Sequence, residues 1–111
     1  PNPYRKLDGT QTEAGARGKL LFTGKADCIS CHTGTKSGGQ RKAWVGLTAE
    51  GVDLDVPHLA GVYDTYPYLH DGRAATLEEI FQKHNAKQLP GKAHELSPDE
   101  LKDLLQYVRE L

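Results

Sequence analysis

A chain of 111 residues suits one small domain, and with 37% hydrophobic residues, two Phe, one Trp and no Met it has little apolar bulk for a core. Fourteen basic against fifteen acidic residues leave a formal charge of -1, which gives neither the basic patch of a nucleic-acid binder nor an acidic tail. No apolar run reaches the length that spans a bilayer, and no secretion signal stands at Pro1.

Residues 1–9 carry two prolines and no periodicity, and read as an extended lead-in or linker remnant before a domain at 10–111. Thr10-x-x-Glu13 predicts a capping box opening a helix over about residues 11–22, with Ala14, Gly18, Leu21 and Phe22 at helical spacing. Gly15 and Gly18 each cost such a helix about 1 kcal/mol relative to Ala, a cost that makes sense where a second helix must approach closely.

Cys28-Ile29-Ser30-Cys31-His32 follows, and it contains both cysteines of the chain. C-x-x-C-H is the attachment signature of a c-type haem. On a helical turn Cys28 and Cys31 share a face from which thioethers reach the two haem vinyl groups, and His32 comes next to meet the iron. A structural zinc site would need two more ligands at fixed spacing, and the other four histidines form no H-x(3–5)-H pair. A redox dithiol would follow a strand, yet no β-branched run precedes Cys28. One haem c, covalently held through Cys28 and Cys31, is therefore the expected cofactor, and it would supply the apolar bulk that the side chains lack. Thioether attachment requires reduced cysteines and export machinery. The expected location is accordingly the periplasm or its equivalent outside the cytoplasmic membrane, with the chain a processed mature protein or a domain of something larger.

Residues 33–56 form a polar, glycine-bearing excursion whose lone Trp44 is expected to cover a haem edge or fill the core. Val56-Pro57-His58-Leu59-Ala60-Gly61-Val62 is apolar and broken by proline, so it should cross the interior as a loop. Tyr63 to Gly72 then has the density of turn formers and aromatics expected beside a ligand. Thr76-Leu77-Glu78-Glu79 predicts a capping box, with Leu77, Ile80, Phe81 and His84 on the helix face turned to the haem. After a loop over 85–95, Ser97-Pro98-Asp99-Glu100 is the strongest helix start in the chain, and Leu101, Leu104, Leu105, Val108 and Leu111 make its apolar stripe.

Together these features resemble a class I-type cytochrome c domain, and the second half is more particular. Val56-Pro57-x-Leu59-x-Gly61-Val62, Tyr66-Pro67-Tyr68-Leu69-His70-Asp71-Gly72-Arg73, Thr76-Leu77-Glu78-Glu79 and Leu96-Ser97-Pro98-x-Glu100-Leu101 are similar to the electron-transfer half of bacterial dihaem cytochrome c peroxidases and to single-haem relatives. The resemblance implies an all-α fold of three to four helices around one haem, with long irregular loops. It also implies that the first and last helices cross at a glycine and an aromatic, here Gly18 and Tyr107. With one haem motif the chain cannot be a complete dihaem peroxidase.

The absence of Met excludes His/Met coordination and leaves another His, a Tyr, a Lys or nothing as sixth ligand. The peroxidase resemblance implies His84, fourteen residues after His70, as the distal ligand, and a nearby, non-ligating role for His70, with Arg73 at a propionate. A solvated histidine at a helix end, favoured there by the dipole, is the competing account of His84. His58 and His94 are weaker candidates. The Pro57 carbonyl is the expected acceptor for the second ring nitrogen of His32, with Leu59 packed on the porphyrin near it. The expected function is a one-electron carrier, bis-His ligated and low-spin, serving a redox partner protein or a fused catalytic domain. The alternatives are an open-site haem domain that binds small ligands or reduces peroxide, and a relay domain of a larger redox enzyme.

Overall fold

Serine before proline and glutamate is a strong instruction to start a helix, and the last helix obeys it. In the computed structural model, which describes residues 2–30, 32, 42–43, 54–55, 59–66, 68, 74–82 and 95–111, Ser97 accepts the Glu100 N–H while the Glu100 carboxylate accepts the Ser97 N–H at 3.0 Å. Two otherwise unpaired donors are satisfied at once. Three helices stand among the described residues: α1 (Glu13–Thr23), α2 (Leu77–Gln82) and α3 (Pro98–Glu110). Short 3₁₀ turns occupy Cys28–Ser30 and Val62–Asp64, and the strands among the described residues are an antiparallel two-residue pair, Lys42–Ala43 and Leu54–Asp55, with Lys42 opposite Asp55. The fold is the all-α class expected.

α1 begins two residues later than its expected start, because the expected cap is engaged elsewhere. Asp8 Oδ1 takes both the N–H and the hydroxyl of Thr10, at 2.9 and 2.6 Å, and closes a local turn. Thr12 is the cap instead, its hydroxyl accepting the Gly15 N–H at 3.0 Å. That hydroxyl in turn donates to Glu110, whose carboxylate also accepts the Thr12 N–H at 2.8 Å and the Gln106 amide at 2.8 Å. Glu110 is 1% exposed. A carboxylate at the end of α3 opposes its own helix dipole, but at the start of α1 it meets the positive end of another. Asn2 and Arg5 then donate to the Arg109 and Glu110 carbonyls, each at 2.7 Å, so residues of the lead-in satisfy the last acceptors of α3.

From Glu110 the contact between α1 and α3 runs in opposite chain directions: Gly15 against Glu110, Gly18 against Asp103 and Tyr107, Phe22 against Tyr107, and Lys25 against Glu100. A Cβ at Gly18 would collide with the Asp103 carbonyl group and stand 2.7 Å from Tyr107 Cβ, so the helices pack at this distance only with glycine there. The glycine–aromatic crossing implied by the resemblance is present. Gly15 has a different cause, since its Cβ would overlap the Glu110 carboxylate rather than a helix backbone.

The core lies on either side of α3. Phe22, Ala26 and Leu104 are buried together toward α1, and Val62, Leu77 and Leu105 toward α2, with Leu59, Leu101 and Val108 packed against both groups. The lysine of the Lys25–Glu100 pair, aided by the Ser97 N–H, holds the Glu100 carboxyl below the usual carboxylate range. Its contribution is therefore present at neutral pH and lost as pH falls through the lowered value, and because the pair is exposed it is small.

Two substitutions test this packing. Gly18→Ala should lower the unfolding free energy by about 2–3 kcal/mol in urea titration, although Ala is the better helix former; an unchanged or raised midpoint would contradict the close approach. Glu110→Ala should lower it by about 3 kcal/mol and Glu110→Gln by less.

Candidate functional site

The chain leaves α1 through a tight turn that delivers the C-x-x-C-H segment. Gly24 N–H donates to the Leu20 carbonyl at 3.0 Å, Ala26 N–H to Leu21 at 2.9 Å, and Asp27 N–H to Gly24 at 3.0 Å. Asp27 adopts φ 54°, in the left-handed region that Asp tolerates better than most residues because its short side chain bonds locally. Ala26 is fully buried, which anchors the turn against Phe22 and Leu104. Phe22 itself sits between two rings, with centroids 5.2 Å from Tyr107 in an edge-on arrangement and 6.4 Å from His32 in a tilted one. Burial raises the Tyr107 hydroxyl above the usual phenol range.

Cys28 opens the 3₁₀ turn, half-buried against the Phe22 cluster. The His32 N–H donates to the Cys28 carbonyl at 3.0 Å, so the two residues are joined across one turn with the spacing that the motif requires. Leu59, Leu96 and Leu101 pack on the same cluster and make the surroundings apolar. A thiol and an imidazole on one turn, beside an aliphatic and aromatic wall, fit the thioether and axial nitrogen of a c-type haem.

Of the residues singled out from sequence, the structure brings Cys28, His32 and Leu59 to this one cluster, the first and last in packing contact with it and His32 through the Phe22 ring. Cys31, Pro57, His70, Arg73 and His84 lie outside the described residues, as do Trp44, His58 and His94. Tyr68 N–H and carbonyl exchange hydrogen bonds with Ala74 at 2.6 and 3.3 Å, which sets the two ends of the segment containing His70 and Arg73 side by side. Thr76 caps α2 through the Glu79 N–H at 3.3 Å, while the Glu79 carboxylate takes the N–H of Ala75 rather than of Thr76. The expected box is thus half formed. Leu77 is buried, with Ile80 and Phe81 partly so, but they pack with Val62 and Leu105 rather than in the Phe22 cluster beside Cys28.

Sequence reasoning passed over Glu110 and Asp27. An acid in the last turn of a helix, where the dipole disfavours it, was the available signal for Glu110. A non-glycine left-handed residue leaves no comparable trace.

Comparison with known proteins agrees with this geometry. The family model described as cytochrome c matches residues 15–111. The chain is 28% identical to hydrazine synthase subunit gamma of Kuenenia stuttgartiensis, an alignment that covers 99% of this chain and 44% of that subunit. It is 31% identical to the cytochrome-c peroxidase IdrP1 of Denitromonas iodatirespirans, covering 86% of this chain and 39% of that protein. Among solved structures, xenon-pressurised hydrazine synthase of Kuenenia stuttgartiensis superposes with a TM-score of 0.73 at 25% identity, over 99% of this chain and 50% of that one. The chain spans less than half the length of these curated relatives. With 97 of its residues under the family model and its glycine–aromatic helix contact and motif turn in place, the chain belongs to the cytochrome c family, whose members carry covalently bound haem in redox roles.

Proposed function

We propose that the chain is a monohaem one-electron carrier in which Cys28 and Cys31 tether the haem and His32 and His84 bind its iron. The observation that supports it is the joining of Cys28 and His32 on one turn against the Phe22 cluster, inside a chain of this family. When bound, haem c supplies a metal that changes oxidation state by one electron; the protein buries it, orients it and tunes it. Phe22 and Leu59 would exclude water from the imidazole side, and the Pro57 carbonyl would accept the second ring N–H of His32, fixing the tautomer that leaves the other nitrogen for the metal. The absence of Met excludes a thioether ligand, and the peroxidase resemblance implies His84 as the second ligand that would hold the iron; two imidazoles would favour ferric iron more than a thioether. The same resemblance implies a non-ligating role near the haem for His70, and Arg73 would pair a propionate. Assembly of the thioethers would require reduced cysteines and export machinery, so the proposed location is the periplasm or its equivalent outside the cytoplasmic membrane.

The length of the relatives favours a second reading within the same chemistry. Proteins that match this chain over less than half their own length include a peroxidase and a synthase subunit, so the domain also suits an electron relay fused to, or docked on, a catalytic partner.

Ferric and ferrous absorption spectra test the ligand set. The unmodified protein should be low-spin in both states and respond only slowly to carbon monoxide or cyanide, whereas His84→Ala should turn high-spin and bind both at once. A high-spin ferric spectrum before any substitution, or immediate ligand binding, would replace the carrier with an open haem site.

A further inference from the structure

Four of the five tyrosines of the chain line one hollow, and none of these four belongs to the cluster around Cys28. Tyr4 comes from the lead-in, Tyr63 from the second 3₁₀ turn, and Tyr66 and Tyr68 from the segment after it; the start of α2 with Glu78, and Arg109 of α3, make the rest of the wall. The hollow holds about 200 Å³, below the roughly 300–1,000 Å³ of sites for drug-sized ligands, and so has room for one protruding group rather than a whole cofactor.

Three of its four rings, those of Tyr4, Tyr63 and Tyr68, are already held in place. Tyr4 and Tyr63 meet edge-on with centroids 5.8 Å apart, the Arg109 guanidinium lies 5.8 Å from the Tyr4 ring centre, and the Tyr68 hydroxyl donates to the Val62 carbonyl at 3.0 Å. Little ordering entropy remains to be lost when a ligand arrives. Tyr66 and Tyr4 stay 67% and 41% exposed, so ring surface is offered to solvent at the rim. The two charged groups of the wall form an ion pair with one another, Arg109 with Glu78. A cationic ligand would have to take Glu78 from Arg109, and an anionic one the reverse. What the hollow offers without such a cost is aromatic face and phenolic donor.

The geometry points to this hollow as a docking site for an extended, proline-rich segment of a partner protein. Such a segment is neutral, presents flat pyrrolidine rings that stack on tyrosine, and has carbonyl oxygens free to accept from phenol hydroxyls because the polyproline helix makes no internal hydrogen bonds. Tyr and Arg are also the residues that most often concentrate binding energy at protein contacts.

The test titrates the haem-loaded protein into a fluorescein-labelled, end-blocked hexaproline peptide and follows anisotropy. Saturable binding is expected, altered less than about twofold between low and high salt because the charged pair is internal. Tyr66→Ala should weaken it about tenfold and Tyr66→Phe should largely retain it, with Soret and circular dichroism spectra showing both variants folded. The proposal is overturned by any of four results: no saturable binding, equal binding of an end-blocked Gly-Ser hexapeptide, displacement of the peptide by tetramethylammonium, or tighter binding of p-cresol than of hexaproline. The third would mark a cation site and the fourth a site for small neutral aromatics.

Discussion

Everything at the candidate haem site is referred to one contact, the approach of α1 to α3 at Gly18. The absent side chain lets the Asp103 carbonyl and Tyr107 come against α1, and that separation puts Phe22 in edge contact with Tyr107 one turn later. Phe22 and Leu104, both 1% exposed, then form the surface on which Ala26 is buried, and Ala26 fixes the turn from which Cys28 emerges. Burial of two such side chains is worth about 1.5–3 kcal/mol each. A shift of α1 along α3 would move the thiol and the imidazole together, so the position of a haem relative to the last helix would be decided ten residues before its first attachment point, by nothing more elaborate than a missing methyl group at Gly18.

Electrostatics fix the register of that contact. Hydrophobic surfaces slide, whereas Glu110 has one place in which its carboxylate finds Thr12, Gln106 and the start of α1 together. At the other end Lys25 reaches Glu100, and between them Arg17 meets Asp103 in a two-point contact. The Lys25–Glu100 and Arg17–Asp103 pairs are exposed and add little to stability, but Glu110 is buried, and a buried carboxylate with its acceptors filled is costly to displace. The lead-in takes part in the same arrangement through Asn2 and Arg5, and Tyr4 carries it on to the tyrosine hollow.

How far the sequence could be read follows from which interactions are local. The α3 cap was legible because serine, proline and glutamate satisfy one another within four residues, and the apolar stripe behind them has only one way to face inward. Gly18 was legible through a family pattern, since a glycine that weakens a helix signals a neighbour. The start of α1 was misread for the opposite reason: Thr10 and Glu13 have the spacing of a box, but Asp8 claims Thr10 locally and a carboxylate 98 residues on supports Thr12. No window of sequence contains that competition. Tyr63, Tyr66 and Tyr68 are close in sequence and suggested a ligand-facing segment, yet the fourth ring of their hollow comes from Tyr4, which only the folded lead-in brings near. At the site itself, Cys28, His32 and Leu59 could be connected because the motif spacing is short and Leu59 joins both halves of the core.

The proposed carrier requires covalent attachment of one haem at Cys28 and Cys31, with His32 on the iron. Intact-mass measurement of the denatured protein, after expression with cytochrome c maturation machinery, addresses it most directly. The mass of the polypeptide plus a single haem, with a Soret band that survives extraction with acidified acetone, is the result predicted. A mass equal to the bare polypeptide, with no Soret absorption, would contradict it.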